Sequence, residues 1–313
     1  MNIEKNVLLK NKVWFETGGP AEYFCEPQSI KDVKEAITFA KDNNLKITIL
    51  GLGANVLISD DGVKGLVISP HIGDISYTYG TNDTVLLTAG SGINMEHLIA
   101  YCLNNNIIGL EEFSGIPSTI GGAVYINLHY FQFLISQFFI KGTVIDLRTG
   151  SVEQHDKEWF EFGYDHSKLC TKYYCLIDAT FQLRSCSDIE TAYAKGRSNE
   201  ITRHRKQRYP YKGTCGSFFR NFFPDEVSIE SNGKKMIYAA YYLDKTGVKG
   251  ALKVGGAGVS HQHANMIVNM NNAMSSDIIA VARSMQEKVQ LHFDIILQPE
   301  CELIGFEEYP LLK

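Results

Sequence analysis

The feature that most constrains the fold is a glycine-rich stretch, ILGLGANVLIS, which begins in one apolar run and ends in another. Gly51 and Gly53 are spaced like the first glycines of a dinucleotide-binding fingerprint, which must open a helix and carries an acidic residue about 20 positions further on. Here the sequence continues with β-type residues and Asp61-Gly62, a hairpin-type turn signal. We therefore exclude a nicotinamide Rossmann site and expect a loop whose backbone N–H groups can approach a diphosphate. Taken alone, such a loop could equally be a structural turn.

A second glycine-rich loop, SGIPSTIGGAV, occupies residues 114–124. Pro117 stiffens its approach, Ser118 and Thr119 offer hydroxyls, and Gly121-Gly122 leaves the backbone free to touch a ligand. Two such loops, each after an apolar run, could hold opposite sides of an extended cofactor, or they could be two independent turns.

Helical and strand patterns alternate along the rest of the chain, which predicts an α/β (α+β) fold. Ser29 is a predicted N-cap of a helix with one apolar face, and residues 275–292 form a second long helical pattern. The polar helical stretch 189–208 marks a change of domain. The closing stretch DIILQPECELIGF is predicted as a strand. A length of 313 residues favours two or three domains.

Composition excludes several classes of protein. A net charge of −5 argues against nucleic-acid binding, and the basic run RHRKQR is predicted to be a solvated helical face. The seven cysteines include no CxxC pair, and the N-terminus has no apolar signal region, so we expect a reduced, cytoplasmic protein. The most apolar segment, 130–140, is too short to span a bilayer. His261 and His263 suggest a metal site by spacing alone, but no third ligand is near and no metal is expected.

Six motifs occur in a characteristic order: LGLGANVLI, TAGSG, EEFSGIPSTIGGAVYIN, GSFFRN, KVGGAGVSHQHANMIVN and LQPE. Together they resemble the shorter type of the UDP-N-acetylenolpyruvoylglucosamine reductase family, over nearly the whole chain. The resemblance implies a two-lobed FAD-binding fold of the vanillyl-alcohol oxidase type, followed by a smaller α+β substrate domain. The implied boundaries are 1–70 and 71–195 for the two FAD-binding subdomains and 196–313 for the substrate domain, with the C-terminal strand returning to the active site.

The activity implied by the resemblance is reduction of UDP-N-acetylglucosamine enolpyruvate to UDP-N-acetylmuramate in peptidoglycan precursor synthesis, a step of cell-wall biogenesis needed for cell shape and division. FAD is the implied cofactor and NADPH the co-substrate. A cytoplasmic monomer or weak homo-oligomer is expected, with no nucleic-acid partner and no membrane span.

The resemblance also assigns roles to residues. Ser217 is the implied proton donor, Phe218 and Phe219 the wall that excludes water, and Glu300 the second catalytic acid. The substrate is assigned to Arg220, Asn221, His263 and Asn265. The residues assigned to the cofactor are Gly51, Gly53, Ala54, Asn55, Val56, Leu57, Gly115, Pro117, Ser118, Thr119, Gly121, Gly122 and Ala123.

Two positions depart from the family pattern. Asp165 stands where the family has a catalytic arginine, so an anion replaces a cation, and His166 or Lys168 is a possible substitute. Leu128-His129-Tyr130 replaces small residues expected close to the flavin, and His129 is a hypothetical point of covalent flavin attachment. Two alternatives therefore stay open: a related FAD oxidoreductase acting on another nucleotide sugar or small acid, and a catalytically impaired flavin-binding paralogue.

Overall fold

The computed structural model describes residues 1–313. It contains six α-helices, which are α1 (Ile30–Asp42), α2 (Met95–Asn104), α3 (Ile120–Tyr125), α4 (Asp188–Arg208), α5 (Ala239–Lys245) and α6 (Ser275–Phe293). The first ten strands are β1 (Glu4–Leu8), β2 (Pro20–Cys25), β3 (Ile47–Ile49), β4 (Val56–Ile58), β5 (Val63–Ile68), β6 (Ile75–Tyr79), β7 (Thr84–Gly90), β8 (Ile107–Ile108), β9 (His129–Tyr130) and β10 (Phe133–Leu134). The remaining strands are β11 (Phe139–Asp146), β12 (Val152–Asp156), β13 (Tyr174–Ser185), β14 (Glu230–Ser231), β15 (Lys234–Lys235), β16 (Lys253–Val254), β17 (Ala257–Val259), β18 (Ile267–Asn269) and β19 (Glu302–Ile304).

The chain divides into two compact units. Unit 1 consists of residues 1–5, 22–52 and 64–205, and unit 2 consists of residues 6–21, 53–63 and 206–313. This division does not test the predicted boundaries at residues 70 and 195, so the three predicted domains stay a prediction. None of the helices has both the length and the apolar character needed to cross a membrane.

A four-stranded sheet in the order β1-β2-β5-β3 is covered by α1. The predicted N-cap is confirmed, since the backbone N–H of Asp32 donates to the Ser29 hydroxyl. The predicted apolar face is also confirmed, because Val33, Ala36, Ile37 and Ala40 are all buried.

The second sheet of unit 1 is antiparallel, in the order β12-β11-β13-β7-β6, with β8 added to β13. Its central strand, β13, pairs along most of its length with both β11 and β7. One face carries the largest core of the molecule, to which α2 contributes Leu98 and Ile99, and α3 contributes Ile120 and Ala123. This packing fixes α3 and the glycine-rich loop that precedes it.

Unit 2 combines the antiparallel sheet β16-β17-β18 with α6, whose buried face shares one core with Phe218, Phe219 and Cys301. Two predictions were wrong here. Asp61-Gly62 makes a turn but closes no hairpin, since β4 pairs in parallel with β19 while β5 pairs in parallel with β3. The closing stretch is a strand only over β19, and Pro299, which has no N–H to donate, forms only an isolated bridge with Phe219.

Candidate active site

The two glycine-rich loops meet in unit 1 at Gly51. A Cβ atom added to Gly51 would lie 2.8 Å from Thr119 Oγ1 and 3.9 Å from Gly122 Cα, closer to the hydroxyl than side chains pack. That hydroxyl is already engaged, because Thr119 caps α3 by accepting from the Gly122 N–H at 3.2 Å. Glycine at position 51 therefore lets the first loop lie against the second. We call Gly51 together with 115–123 the glycine cradle.

Backbone hydrogen bonds join the cradle to residues 91–95, the segment that follows β7. Met95 N donates to Ser118 O at 2.9 Å, and Gly121 N donates to Ser91 O at 2.8 Å. Gly115, which has φ +74°, accepts from Arg205 Nε at 3.1 Å through its carbonyl. Ala123 is fully buried in the core, whereas Pro117 and Ser118 are half-buried. The loop is thus fixed by its backbone, and its glycines keep one surface bare.

Ser91 is a residue of this region that sequence reasoning missed. The residue is 3% exposed, and its hydroxyl oxygen has no hydrogen-bond partner in the protein. The sequence signal was the TAGSG motif, in which a serine stands between two glycines immediately after a strand.

The predicted cofactor residues 53–57 lie in unit 2, where they approach the C-terminal strand. Gly53 has φ +67°, and a Cβ there would lie 2.8 Å from Val13 Cα. Ala54 is half-buried, and Val56 and Leu57 form β4, paired with Glu302 and Leu303 of β19. The first glycine-rich loop therefore runs into a strand, as predicted.

Asn55 connects this loop to Glu300. Its Nδ2 donates to the backbone carbonyl of Glu300 at 3.4 Å, and the backbone carbonyl of Asn55 accepts from Glu302 N at 3.0 Å. Asn55 Oδ1 is buried without a hydrogen-bond partner in the protein. A residue predicted to bind cofactor is thus in contact with a residue predicted to be catalytic.

Ser217 and Glu300 lie on two chain segments that pair with each other. Phe219 and Pro299 form an antiparallel bridge, Glu300 N donates to Phe218 O at 2.9 Å, and Arg220 N donates to Gln298 O at 2.9 Å. Ser217 and Glu300 are half-buried, and Phe218 and Phe219 are fully buried. The fold therefore brings the hydroxyl-bearing and carboxyl-bearing segments side by side in unit 2.

The amide of Asn265 clamps the same segment. Asn265 Oδ1 accepts from Phe219 N at 3.1 Å, and Nδ2 donates to Phe219 O at 2.7 Å, as a neighbouring strand would. His263 Nδ1 accepts from Asn265 N at 3.3 Å, and burial lowers the pKa of His263 below its ordinary 6.5, with Arg208 adding to the effect. The predicted substrate contacts of His263 and Asn265 stay a prediction.

Arg220 makes a bidentate ion pair with Glu226, at 2.7 Å for each N–H···O contact. The hydrogen bonds from Arg220 hold the pKa of Glu226 below its ordinary value. Asn221 Oδ1 accepts from Ala239 N at 3.2 Å, which anchors the start of α5. The Arg220 charge is therefore balanced within unit 2.

Asp165, at the departure from the family pattern, lies in unit 1 with φ +50°. His129 Nδ1 is 3.3 Å from Asp165 Oδ1 but outside hydrogen-bonding geometry, so both carboxylate oxygens are buried with no hydrogen-bond partner. Lys168 donates to Glu161 Oε1 at 2.8 Å, which commits one of the two predicted substitutes elsewhere.

In the bulky segment 128–130, buried and half-buried side chains alternate. Leu128 and Tyr130 are buried in the main core of unit 1, while His129 between them is half-buried and faces Asp165. The enlarged side chains at 128 and 130 therefore pack into the interior, and only His129 stands beside the departure at 165.

Comparison with known proteins matches two families along the chain. Residues 21–156 match an FAD binding domain, and residues 207–304 match the C-terminal domain of UDP-N-acetylenolpyruvoylglucosamine reductase. The reductase of Clostridium novyi (strain NT) is 32% identical over 306 residues, which cover 97% of this chain and 93% of the relative. That of Nostoc sp. is 32% identical over 304 residues, covering 97% and 86%. The crystal structure of the reductase from Thermus caldophilus superposes with a TM-score of 0.77 at 26% identity, covering 97% of this chain and all of that one.

The residues present fit FAD. Within unit 1, the glycine cradle offers bare backbone to a dinucleotide, and the buried Ser91 hydroxyl has no hydrogen-bond partner within the protein. A flavin dinucleotide carries both hydrogen-bond donors and acceptors that such groups can meet. No cluster of three or more His, Cys, Asp or Glu side chains is arranged to hold a metal ion.

Proposed function

Because this chain belongs to the UDP-N-acetylenolpyruvoylglucosamine reductase family, we propose that it reduces UDP-N-acetylglucosamine enolpyruvate to UDP-N-acetylmuramate with FAD and NADPH. It is an oxidoreductase of peptidoglycan precursor synthesis, and the predictions of the family, the two-domain α/β fold, the FAD cofactor and the activity are confirmed. The observation that carries the assignment of catalytic residues is the pairing between the segments of Ser217 and Glu300.

FAD, when bound, would supply the hydride chemistry that links NADPH to the terminal carbon of the enolpyruvyl group. The carbon next to the ether oxygen must then gain a proton, while negative charge develops on the substrate's carboxyl side. The protein has to supply the proton and stabilise that charge.

We assign the proton to the Ser217 hydroxyl. Serine is a weak acid in water, but the carbon it protonates is far more basic, so transfer depends on fixed geometry and exclusion of water. The buried rings of Phe218 and Phe219 support this role, because they follow Ser217 directly and are clamped by Asn265.

Glu300 is assigned to the developing charge as a second acid. Its backbone is held on two sides, by the Phe218 carbonyl and by the Asn55 amide, so its side chain starts from a fixed point.

We assign the nucleotide-sugar substrate to Arg220, Asn221, His263 and Asn265. The ion pair with Glu226 also lets Arg220 orient the segment after Phe219. The implied subdomains (1–70 and 71–195), the substrate domain (196–313), a cytoplasmic location and a monomer or weak homo-oligomer complete the proposal.

The second candidate is a reductase acting on a different nucleotide sugar or small acid, and Asp165 favours it. A buried carboxylate without hydrogen-bond donors would repel a substrate carboxylate placed beside it. Asp165→Arg separates the two candidates. We expect it to raise kcat at least tenfold with UDP-N-acetylglucosamine enolpyruvate if that is the substrate, because a missing donor costs about 10²–10³ in rate. No gain in kcat would favour the other substrate.

The direct test is NADPH oxidation by the purified, FAD-loaded protein. We expect oxidation only when UDP-N-acetylglucosamine enolpyruvate is present, with UDP-N-acetylmuramate as the product. Absence of turnover in a fully flavin-loaded sample would contradict the proposal, and turnover of other nucleotide sugars would support the second candidate. The mass of the denatured protein tests covalent attachment at His129, which would add one flavin.

A further inference from the structure

The starting observation is the hydroxyl of Ser91, in the turn between β7 and α2. Both backbone groups of this residue are paired: its N–H donates to Ile177 O at 2.8 Å, and its carbonyl accepts from Gly121 N at 2.8 Å. Its side chain is buried and its oxygen has no hydrogen-bond partner within the protein. The backbone is therefore fixed while the side-chain polar group is unsatisfied.

Other buried hydroxyls of unit 1 do not share this property. Ser114 Oγ donates to Glu111 O at 2.6 Å, and Ser167 Oγ donates to Tyr125 O at 2.7 Å. Thr88 and Thr180 hydroxyls bond each other at 2.9 Å. Since nearly all buried polar groups in proteins are hydrogen-bonded, and leaving one unpaired is costly, the lack of a partner for the Ser91 hydroxyl within the chain needs a physical reason.

The position of Ser91 identifies that reason. Its carbonyl holds Gly121, and a Cβ atom added to Gly121 would lie 3.2 Å from Ser91 O and 3.4 Å from Ser91 Cβ. Gly122 follows directly, and it lies beside Thr119, the residue that Gly51 of the first loop approaches most closely. The unsatisfied hydroxyl thus belongs to the floor of the glycine cradle.

We propose that the Ser91 hydroxyl is a ligand of FAD, hydrogen-bonding a polar atom of the cofactor held on the glycine cradle. The proposal rests on the assignment of FAD and is independent of which substrate is reduced. In the FAD-free protein the unpaired Ser91 hydroxyl would cost folding free energy, and the hydrogen bond to FAD would offset that cost.

Ser91→Ala tests this by two measurements. The dissociation constant for FAD, measured by fluorescence titration of FAD-free protein, should rise about 5- to 10-fold, the value of one neutral hydrogen bond. The denaturant midpoint of the FAD-free protein should stay the same or rise, because the substitution removes an unpaired buried hydroxyl. Ser91→Thr, which keeps the hydroxyl, should weaken FAD binding less than alanine does.

Ser167→Ala is the matched control, since Ser167 is a buried serine of the same unit with a satisfied hydroxyl. It should lower the midpoint of the FAD-free protein and leave FAD affinity within about twofold of wild type. An unchanged FAD dissociation constant in Ser91→Ala would overturn the proposal. Because the titration needs neither NADPH nor the sugar substrate, its result is distinguishable from failure of the proposed reductase activity.

Discussion

Two regions of the molecule treat their polar groups in opposite ways. Around Phe219, in unit 2, the backbone and side-chain groups are paired: Asn265 clamps Phe219 and Arg220 is neutralised by Glu226. Around Asp165, in unit 1, the backbone is left-handed at a non-glycine residue and two carboxylate oxygens are buried without hydrogen-bond partners. The first region follows the family's motif, and the second is where the sequence departs from it.

The difference indicates which region of this chain lowers the free energy of unfolding. Left-handed backbone and a buried carboxylate that accepts no hydrogen bond each cost free energy, and such costs persist where function or an altered site retains them. The paired region should therefore be rigid and catalytic, whereas the Asp165 region should be the place where substitution improves stability. Each prediction below tests one side of this comparison.

Ser217→Ala should have the largest effect. Loss of the proton donor is expected to lower kcat by about 10²–10⁴, because that is the usual contribution of a general acid. The flavin absorbance spectrum and the FAD content should be unchanged, since the backbone pairing with Glu300 does not involve the hydroxyl. Rapid-reaction measurements should show normal flavin reduction by NADPH and slow reoxidation by the sugar substrate.

Ser228→Ala, an exposed serine of the same unit, is the control and should keep wild-type kcat. If Ser217→Ala also retained wild-type reoxidation by the sugar substrate, the paired region would lose its catalytic assignment and the proton donor would have to be sought elsewhere.

Asp165→Asn should act on stability. Asparagine tolerates left-handed backbone and keeps the shape, but it replaces a buried charge by a neutral amide. At pH 8, where an ordinary histidine is neutral, we expect the free energy of unfolding to rise by about 1–2 kcal/mol, measured by urea denaturation.

Asp146→Asn is the matched control for that change. Asp146 accepts from the backbone N–H groups of Arg148 and Thr149 and from the Arg148 guanidinium, whose hydrogen bonds lower the pKa of this carboxyl group. Its replacement should therefore destabilise the protein. A loss of stability in Asp165→Asn as well would mean that the His129 imidazole compensates the Asp165 charge.

The sequence predicted what depends on local pattern. The cap at Ser29, the buried face of α1, the strand after Gly53 and the helix from Ser275 all follow from residue type and spacing. The order of the six motifs predicted the family and its cofactor, whereas no single motif was specific enough to do so.

What the sequence could not predict depends on distant partners. The Asp61-Gly62 turn has a hairpin's residues, yet the strands on either side pair with β19 and β3, which are far away in the chain. Likewise, the ion pair of Arg220 and the unpaired hydroxyl of Ser91 are properties of the surroundings that tertiary packing creates. The resemblance therefore gave Arg220 a substrate role without indicating its partner Glu226, and Ser91 was not singled out.

The smallest effect is expected from the pH dependence of stability at His263, in the paired region. Burial lowers the pKa of His263, and its neutral Nδ1 accepts from Asn265 N. Between the lowered pKa of the folded protein and the ordinary value near 6.5, this histidine is therefore protonated in the unfolded chain but neutral in the folded protein. Stability from this group is complete above that window and is lost as the pH falls through it.

The test is the urea midpoint at pH 7.5 and at pH 5.5, compared between wild type and His263→Gln. The other histidines contribute to both proteins, so the difference between the two pH responses isolates His263. The variant should lose less stability on acidification than wild type does. An equal loss would mean that His263 is as easily protonated in the folded protein as in the unfolded chain, and the clamp formed with Asn265 would then be less sheltered from water than the rest of the paired region.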